Sequence, residues 1–212
     1  MDQAPLNFKV FLEKSFRTLR SQKISHLVLD LRNNKGGELQ LVSILLSYLI
    51  PKSFQVHKEI SRHPLHSQEQ NAPTTLALFL GKAHIQPQAQ VFNGKILVIT
   101  NGMTFSGAAD VASILHANRS SPDDVFFVGE ETGGAYQGSC SGILPAFSLT
   151  YSRIKLRIPL WKFQNQVEAQ LFQHRGLLPD YPLSQNPSDF RTGIDTEMRF
   201  AFTYFGEYTA GI

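Results

Sequence analysis

The sequence predicts a single α/β domain that spans residues 1–212. Short apolar runs of strand length alternate with longer segments whose apolar residues recur at helical spacing. Polar or glycine-rich turns separate these segments, as expected where strands lead into helices. The length suits one domain, or one domain with an appended subdomain, and a hydrophobic fraction of 42% is enough for a sizeable core.

The first elements are a helix, a strand and a second helix. The first helix is predicted over residues 8–20, where apolar side chains recur at helical spacing: Phe8, Phe11, Leu12, Phe16 and Leu19. Residues 27–31 have the composition of a buried strand, interrupted by Asp30. A second amphipathic helix begins at Leu39 and is stopped by Pro51, because proline cannot continue a helix.

The turn between that strand and the second helix contains Gly36 and Gly37. Two glycines at a strand-to-helix turn let the backbone come close to another backbone or to a ligand. Their amide groups are therefore candidates to donate hydrogen bonds to a substrate oxygen. A pair of glycines also suits an ordinary helix start, and this turn taken alone favours that simpler interpretation.

A second strand-to-helix turn presents a serine. The apolar run at residues 96–99 ends in turn residues, and Ser106 follows with the small residues Gly107, Ala108 and Ala109 behind it. Small neighbours leave room for a substrate, and a helix N-terminus offers unpaired N–H groups for developing negative charge. The pattern is typical of a nucleophile, and it fits equally well a serine that serves only as the helix N-cap.

Residues 55–90 are predicted as an irregular insertion or flap, because the stretch is polar and lacks a clear period. It holds four of the seven histidines: His57, His63, His66 and His84. His63 and His66 have a spacing that would suit a metal on a helix, but Pro64 between them disfavours a helix. No cysteine or acidic cluster completes a site, so no metal is expected.

The last elements are a hairpin and a helix. Residues 143–149 and 154–160 are predicted as the two strands of a β-hairpin, and residues 164–173 as a polar loop. Residues 188–212 are predicted as a C-terminal helix, with an apolar face over residues 189–204.

Composition excludes several classes of function. The net charge of +3 is mild and the basic residues are scattered, so nucleic acid is not an expected partner. No apolar run reaches membrane-spanning length and no signal peptide is recognised. The single cysteine, Cys140, excludes an internal disulfide and lies in a Gly/Ser turn, without a context that favours a nucleophile. No cofactor is predicted, and the oligomeric state is left open.

Four segments together resemble a known family of serine peptidases. They are LVLDLRNNKGG (27–37), TFSGAAD (104–110), VGEETGG (128–134) and HRGLLPDYPL (174–183). They are similar, in the same order, to motifs of the C-terminal processing peptidases, or tail-specific proteases, whose tricorn-core-like branch is the nearer match. The resemblance covers roughly residues 8–183.

The resemblance implies a crotonase/Clp-protease-like spiral of repeated strand–strand–helix units. It implies a serine endopeptidase with Ser106 as nucleophile, and an oxyanion hole formed by the amide of Gly107 with an amide from Gly36 or Gly37. The implied substrate is a peptide or unfolded protein, and the implied location is extracytoplasmic, periplasmic or secreted. The PDZ and upstream segments of the family are expected to be absent.

One position departs from the family. Bacterial and plastid members carry their general base, a lysine, in a turn where this chain has Ala135, so a Ser–Lys dyad cannot be carried over. The tricorn-like branch uses a histidine from a segment upstream of the residues matched here. Five residues within the chain are weak alternatives for the base: Asp110, Glu130, Glu131, Lys155 and His174. We interpret Asp110 as an exposed helix acid, Lys155 as part of a solvated strand face and His174 as structural.

Three functions follow as alternatives. The first is an active serine peptidase, although the chain as given is expected to be a poor protease or inactive. The second is a catalytically inactive relative that binds peptides, which the missing lysine favours. The third is a crotonase-type enzyme acting on thioesters. The lack of a coenzyme-binding signature and the TFSGAAD segment count against the third.

Overall fold

Helices and strands alternate along the chain in a computed structural model that describes residues 7–62, 83–141, 144–168 and 170–206. The described helices are α1 (Phe8–Ser21), α2 (Leu39–Leu49), α3 (Gly107–Asn118), α4 (Pro187–Arg191) and α5 (Thr196–Tyr204). The described strands are β1 (His26–Asp30), β2 (His57–Arg62), β3 (Lys95–Thr100), β4 (Val125–Gly129), β5 (Gly138–Ser141), β6 (Ala146–Ser148), β7 (Lys155–Arg157), β8 (Trp161–Asn165) and β9 (Tyr181–Pro182).

A parallel sheet in the order β1-β3-β4-β9 forms the centre of the fold. Strand β3 is buried at every position except Lys95, as expected for a strand covered on both faces. Its side chains alternate between two apolar clusters: Ile96 and Val98 pack on the side of α1, α2 and α3, whereas Leu97 and Ile99 pack on the side of α5. The predicted α/β class is confirmed, and the spiral of repeated units stays a prediction.

A second, antiparallel sheet has the order β2-β8-β5. Two predictions are wrong here, because residues 57–62 form a strand within the stretch predicted as irregular, and β8 extends into the predicted loop. Each strand is only five or six residues long and mixes buried, half-buried and exposed positions, so its sequence does not stand out from that of a polar loop. His63 and His66 lie outside the described residues.

The predicted hairpin is confirmed, but its paired strands are short. Strands β6 and β7 pair over three residues each, and all six of these residues are exposed. Residue 143, where the first strand was predicted to begin, lies outside the described residues. Lys155 is exposed on this hairpin, in keeping with a solvated strand face.

The C-terminal region forms two helices where one was predicted. Helix α4 ends before Gly193, whose φ of +73° is incompatible with a continuing helix, and α5 begins after its N-cap Asp195. Residues 207–212 lie outside the described residues. No helix among those described combines the length and apolar character needed to cross a membrane.

Arg32 joins the C-terminal helices to the centre of the fold. Its guanidinium donates two hydrogen bonds to the carboxylate of Asp195, at 2.9 and 2.7 Å, and also bonds Asp30 at 2.7 Å. These bonds raise the pKa of Arg32 above its ordinary value. Because a bidentate pair fixes both position and orientation, α5 is held against the end of β1.

Candidate active site

Three turns meet at one edge of the parallel sheet. They follow β1, β3 and β4 and comprise residues 31–38, 101–106 and 130–136. Parallel strands end at a common edge, which is where open α/β sheets bind ligands. The sequence-predicted Ser106, Gly107, Gly36 and Gly37 all lie in or directly beside these turns.

Thr104 holds the first two turns together. Its buried hydroxyl donates to the carbonyl oxygen of Leu31 at 2.9 Å and accepts from the amide of Asn101 at 3.0 Å. The side-chain oxygen of Asn101 in turn accepts from the amide of Asn33 at 3.1 Å. Since these bonds connect residues about seventy positions apart, they set the distance between the glycine turn and the serine turn.

Gly36 has a steric role that no other residue could take. Its φ is +90°, and a Cβ built on it would lie 2.5 Å from the nitrogen of Gly107 and 2.8 Å from Cβ of Ser106. Its own N–H donates to the side-chain oxygen of Asn34 at 2.9 Å. Because the N–H of Gly36 already has an acceptor, Gly37 is the remaining candidate of the two to donate an amide hydrogen bond to a substrate.

Ser106 has a strained backbone. Its φ of 51° and ψ of −129° lie outside the regions that L-residues favour, as in a nucleophile elbow, where a strand turns sharply into a helix. It occupies the N-cap position of α3, but its side chain forms no capping hydrogen bond. The geometry therefore does not support the interpretation of Ser106 as an ordinary N-cap.

Two backbone amides lie beside Ser106. A Cβ built on Gly107 would lie 3.2 Å from the nitrogen of Gly37. Because a Cβ is about 2.5 Å from its own nitrogen, the two nitrogens are within roughly 6 Å of each other. Neither N–H donates a hydrogen bond to a residue in the described ranges. Donors that reach about 3 Å each can meet at a single oxygen at this separation.

The third turn forms the other wall of the cleft beside Ser106. A Cβ on Gly134 would lie 2.5 Å from Cβ of Ala109 and 3.2 Å from the nitrogen of Ser106. The cleft has a volume of about 320 Å³ and is lined by Ser106, Ala135 and Cys140 among others. Ala135 is exposed, so a longer side chain at this position would have room to enter the cleft.

The interpretation of Asp110 as an exposed acid is wrong. Its side chain is buried in the wall of the cleft, and its Oδ1 accepts from Nδ2 of Asn165 at 3.0 Å. Burial raises the pKa of Asp110 to about 6, with the bond from Asn165 acting in the opposite direction. The sequence held a signal, since residues 107–115 are almost all apolar or small, as in a helix without a solvent-exposed face. In the structure all nine are buried.

Sequence analysis did not identify Asn165 as a site residue. Besides its bond to Asp110, Nδ2 of Asn165 donates to the carbonyl oxygen of Tyr136 at 3.1 Å. One amide group thus connects the helix that carries Ser106 to the third turn. No local motif marks this asparagine, because its partners come from α3 and from a turn about thirty residues upstream.

The remaining candidates for a general base lie in other surroundings. Glu131 pairs with Arg175 at 2.7 Å and accepts from the amide of Gly176, and the bond from Arg175 lowers the pKa of Glu131. Glu130 and His174 are exposed. Within the described residues, no basic side chain forms a hydrogen bond with the hydroxyl of Ser106.

Comparison with known proteins gives a family match. The model of peptidase family S41 matches residues 4–183. A search of curated protein sequences finds no match.

Solved structures share the fold at low sequence identity. Mature CPAF superposes with a TM-score of 0.65 at 16% identity, over 99% of this chain and 50% of that one. A peptidase-like protein from Parabacteroides merdae gives 0.62 at 15%, over 96% and 57%. An S41 protease-like protein from Bacteroides fragilis gives 0.60 at 17%, over 99% and 52%. The chain thus spans about half the length of these relatives.

Proposed function

Since the chain belongs to peptidase family S41, we propose that it cleaves peptide bonds with Ser106 as the nucleophile and with the amides of Gly37 and Gly107 as the oxyanion hole. Relatives in this family are serine peptidases. Peptides and unfolded proteins are the proposed substrates, and an extracytoplasmic location stays a prediction.

The observation that supports this proposal most is the backbone around Ser106. A strained serine at the N-terminus of α3 has two unused N–H groups beside it. Strain of this kind costs of order 1–3 kcal/mol and tends to be retained where it serves function. Oxyanion donors are typically worth a hundredfold to a thousandfold in rate each, so this arrangement supplies a large part of what acyl transfer needs.

In the proposed reaction, Oγ of Ser106 attacks the carbonyl carbon of a peptide bond, and the carbonyl oxygen takes up negative charge between Gly37 and Gly107. The hydroxyl proton must pass to a base, which returns it to the leaving amine. Ala135 cannot accept a proton, and Asp110 is committed on one oxygen to Asn165. We therefore propose slow catalysis by this chain until a base is brought to the cleft.

A peptide-binding relative without catalysis is the second candidate. It is favoured by the lack of a described base hydrogen-bonded to Ser106, together with a cleft and amide pair that would still hold a peptide carbonyl. The two candidates differ only in whether the hydroxyl of Ser106 reacts.

A serine-directed fluorophosphonate probe distinguishes them. We expect slow labelling at Ser106, detected by intact-mass and peptide mass spectrometry, and accelerated by added imidazole as an external base. The Ser106→Ala variant should lose the label. Ser139→Ala is the matched control, because Ser139 lines the same cleft and should have no effect.

Peptide cleavage is measured in parallel with an unfolded, fluorogenic protein substrate. Cleavage that is lost in Ser106→Ala supports the peptidase. Labelling and cleavage that survive in Ser106→Ala would show that another residue is the nucleophile. Peptide binding with no labelling at any imidazole concentration would favour the inactive relative.

A further inference from the structure

The hairpin of β6 and β7 is exposed along its whole length. Residues 146–157 are all exposed, which includes both faces of the two strands and the connection between them. Among the described strands, β6 and β7 pair only with each other. Because a two-stranded hairpin alone in water is marginally stable, a hairpin with large apolar side chains gains stability when another surface covers it.

One face of this hairpin is apolar. Phe147 pairs with Leu156, and the amide of Leu149 donates to the carbonyl oxygen of Ile154 at 3.0 Å. Paired residues of an antiparallel ladder lie on the same face, and so do alternate residues along a strand, so these four side chains form one surface. Their exposed fractions lie between 40% and 56%. Tyr151, in the connection between the strands, is 99% exposed.

The charges of the hairpin all have one sign. Arg153 lies in the connection, whereas Lys155 and Arg157 flank Leu156 on β7 and therefore lie on the other face. No acidic residue occurs in the sequence from 144 to 158. The chain has 20 basic and 17 acidic residues, and without these three basic residues 17 of each remain. The hairpin thus carries the whole net positive charge of the chain, and an anionic surface is its complement.

A lipid surface fits this combination better than a protein does. A stable protein interface uses about 20–30 residues on each side, which is more than the hairpin contains. A second copy of the hairpin would bring like charges together. At a lipid surface, by contrast, a few apolar side chains enter the interface while neighbouring cations bind anionic headgroups. An aromatic side chain such as Tyr151 favours that interface, where its ring is in an apolar layer and its hydroxyl is hydrated.

We propose that the hairpin of β6 and β7 docks on an anionic lipid surface, with Tyr151 entering first and Arg153 and Lys155 reaching the phosphate groups. Along the chain, Lys155 lies at most about 13 Å from Tyr151, and its flexible stem extends the reach of its ammonium group. A tilted hairpin can therefore place the ring below the headgroups and the cations among them. The docking uses none of the residues proposed to act on peptides, so it does not depend on Ser106.

Co-sedimentation of the whole chain with vesicles tests the docking. Vesicles of phosphatidylcholine alone are compared with vesicles of phosphatidylcholine and phosphatidylserine in equal parts. We expect roughly tenfold to a hundredfold tighter binding to the anionic vesicles, weakened by salt, because three basic residues act near the charged surface. Lys155→Glu combined with Arg157→Glu should remove this preference. The matched control, Lys9→Glu with Lys14→Glu, changes the net charge equally at exposed positions of α1 and should keep it.

Fluorescence tests whether the connection between the strands enters the lipid. Tyr151→Trp adds a tryptophan to a chain whose one native tryptophan, Trp161, is buried. With anionic vesicles its emission should shift to shorter wavelength, and lipids brominated on their acyl chains should quench it. Ser120→Trp, at an exposed position outside the hairpin, should show neither effect.

Several outcomes would overturn the proposal. They include equal binding to both kinds of vesicle, and a preference that survives Lys155→Glu with Arg157→Glu or is lost equally in the α1 control. Binding without a shift or quenching in Tyr151→Trp would show that the charges adsorb the chain without insertion.

Two further measurements identify the other occupants. Binding to soluble polyglutamate without binding to anionic vesicles would make an acidic protein the partner. A dimer of the wild type in sedimentation, dissociated by Tyr151→Asp, would make a second copy the partner. Anionic binding that requires both the cations of β7 and entry of residue 151 supports the docking on lipid, whether or not Ser106 is reactive.

Discussion

The two sides of Ser106 differ in what they are made of. On one side, the turn after β1 offers the amide of Gly37, the start of α3 offers the amide of Gly107, and Gly36 lets these two segments come together. On the other side, the turn after β4 offers Ala135, where the family resemblance implies a lysine. Backbone amides persist whatever the side chain is, whereas a base is lost with one substitution. If the proposed roles hold, a single substitution removes the group that moves a proton more easily than the groups that bind negative charge.

The largest effect is expected from Gly36→Ala, which tests the glycine side. The added Cβ would overlap the nitrogen of Gly107 and Cβ of Ser106, and the φ of +90° would add strain. Because both proposed amides would move, fluorophosphonate labelling of Ser106 should fall by a hundredfold or more. Gly102→Ala is the control, since a Cβ there meets nothing within 4 Å. Equal labelling of the two variants would contradict the tight approach at Gly36.

A smaller effect is expected from Thr104→Val, which loosens both sides. The valine would leave the amide of Asn101 without its acceptor, and the carbonyl of Leu31 would keep only the hydrogen bond from the amide of Asn34. We expect a loss of about 1–3 kcal/mol in the free energy of unfolding, the usual cost of one unpaired buried group. Urea denaturation measures it, with the exposed Thr150→Val as control. A loss below about 1 kcal/mol would show that the bond does not tie the turns together.

Asp110→Asn tests the ionisable group on the cleft side. The pKa of Asp110 in the folded chain, about 6, lies above its ordinary value of 3.8. Between about pH 4 and pH 6 the unfolded chain loses the proton of Asp110 before the folded chain does, so the free energy of unfolding falls as pH rises. Above pH 6 the full cost of burying the charged carboxylate is present. Asparagine keeps an acceptor for Asn165 without the charge, and should stabilise the protein by about 2–3 kcal/mol at pH 7, at about 1.4 kcal/mol per pH unit.

The pH dependence of the free energy of unfolding tests whether the charge of Asp110 causes this stability difference. The stability difference between Asp110→Asn and the wild type should shrink as pH falls and vanish below about pH 3, where Asp110 is uncharged in both the folded and the unfolded chain. Asp123→Asn, at an exposed position, should show no such dependence. A stability difference that stays constant between pH 4 and pH 7 would mean that the charge of Asp110 is not what burial penalises.

Ala135→Lys is expected to have the smallest effect, and it tests directly whether the cleft lacks a base. The side chain would enter the cleft lined by Ser106 and Ala135, where a deprotonated lysine can take the hydroxyl proton. We expect labelling to rise at least tenfold, increasing with pH; general bases typically contribute a hundredfold or more when well placed. Ala135→Arg supplies the charge but no base, because arginine stays protonated. A rise in both variants would point to charge attraction instead.

Short-range sequence pattern was sufficient to predict the elements whose residues show a clear period or turn composition. The apolar stripes of α1 and α2, the buried run of β3 and the glycines of the first turn were all readable, because helical spacing and backbone freedom are properties of neighbouring residues. The short strands β2 and β8 were not, since their polar residues face partners on distant segments. The same reason explains why the sequence pattern wrongly predicts Asp110 to be exposed, since its partner Asn165 lies on a distant segment.

Four ordered motifs and their turns are local features of the sequence, and they were enough to predict the fold class, the family and the four candidate site residues. The contacts that these residues make depend on the tertiary structure. In the structure the amide of Gly36 donates to Asn34, whereas the amide of Gly37 has no acceptor within the described residues. The backbone of Ser106 is strained, and Asp110 is buried against Asn165. These outcomes depend on the close approach of three turns from separate strands, a distance that no pattern within one segment encodes.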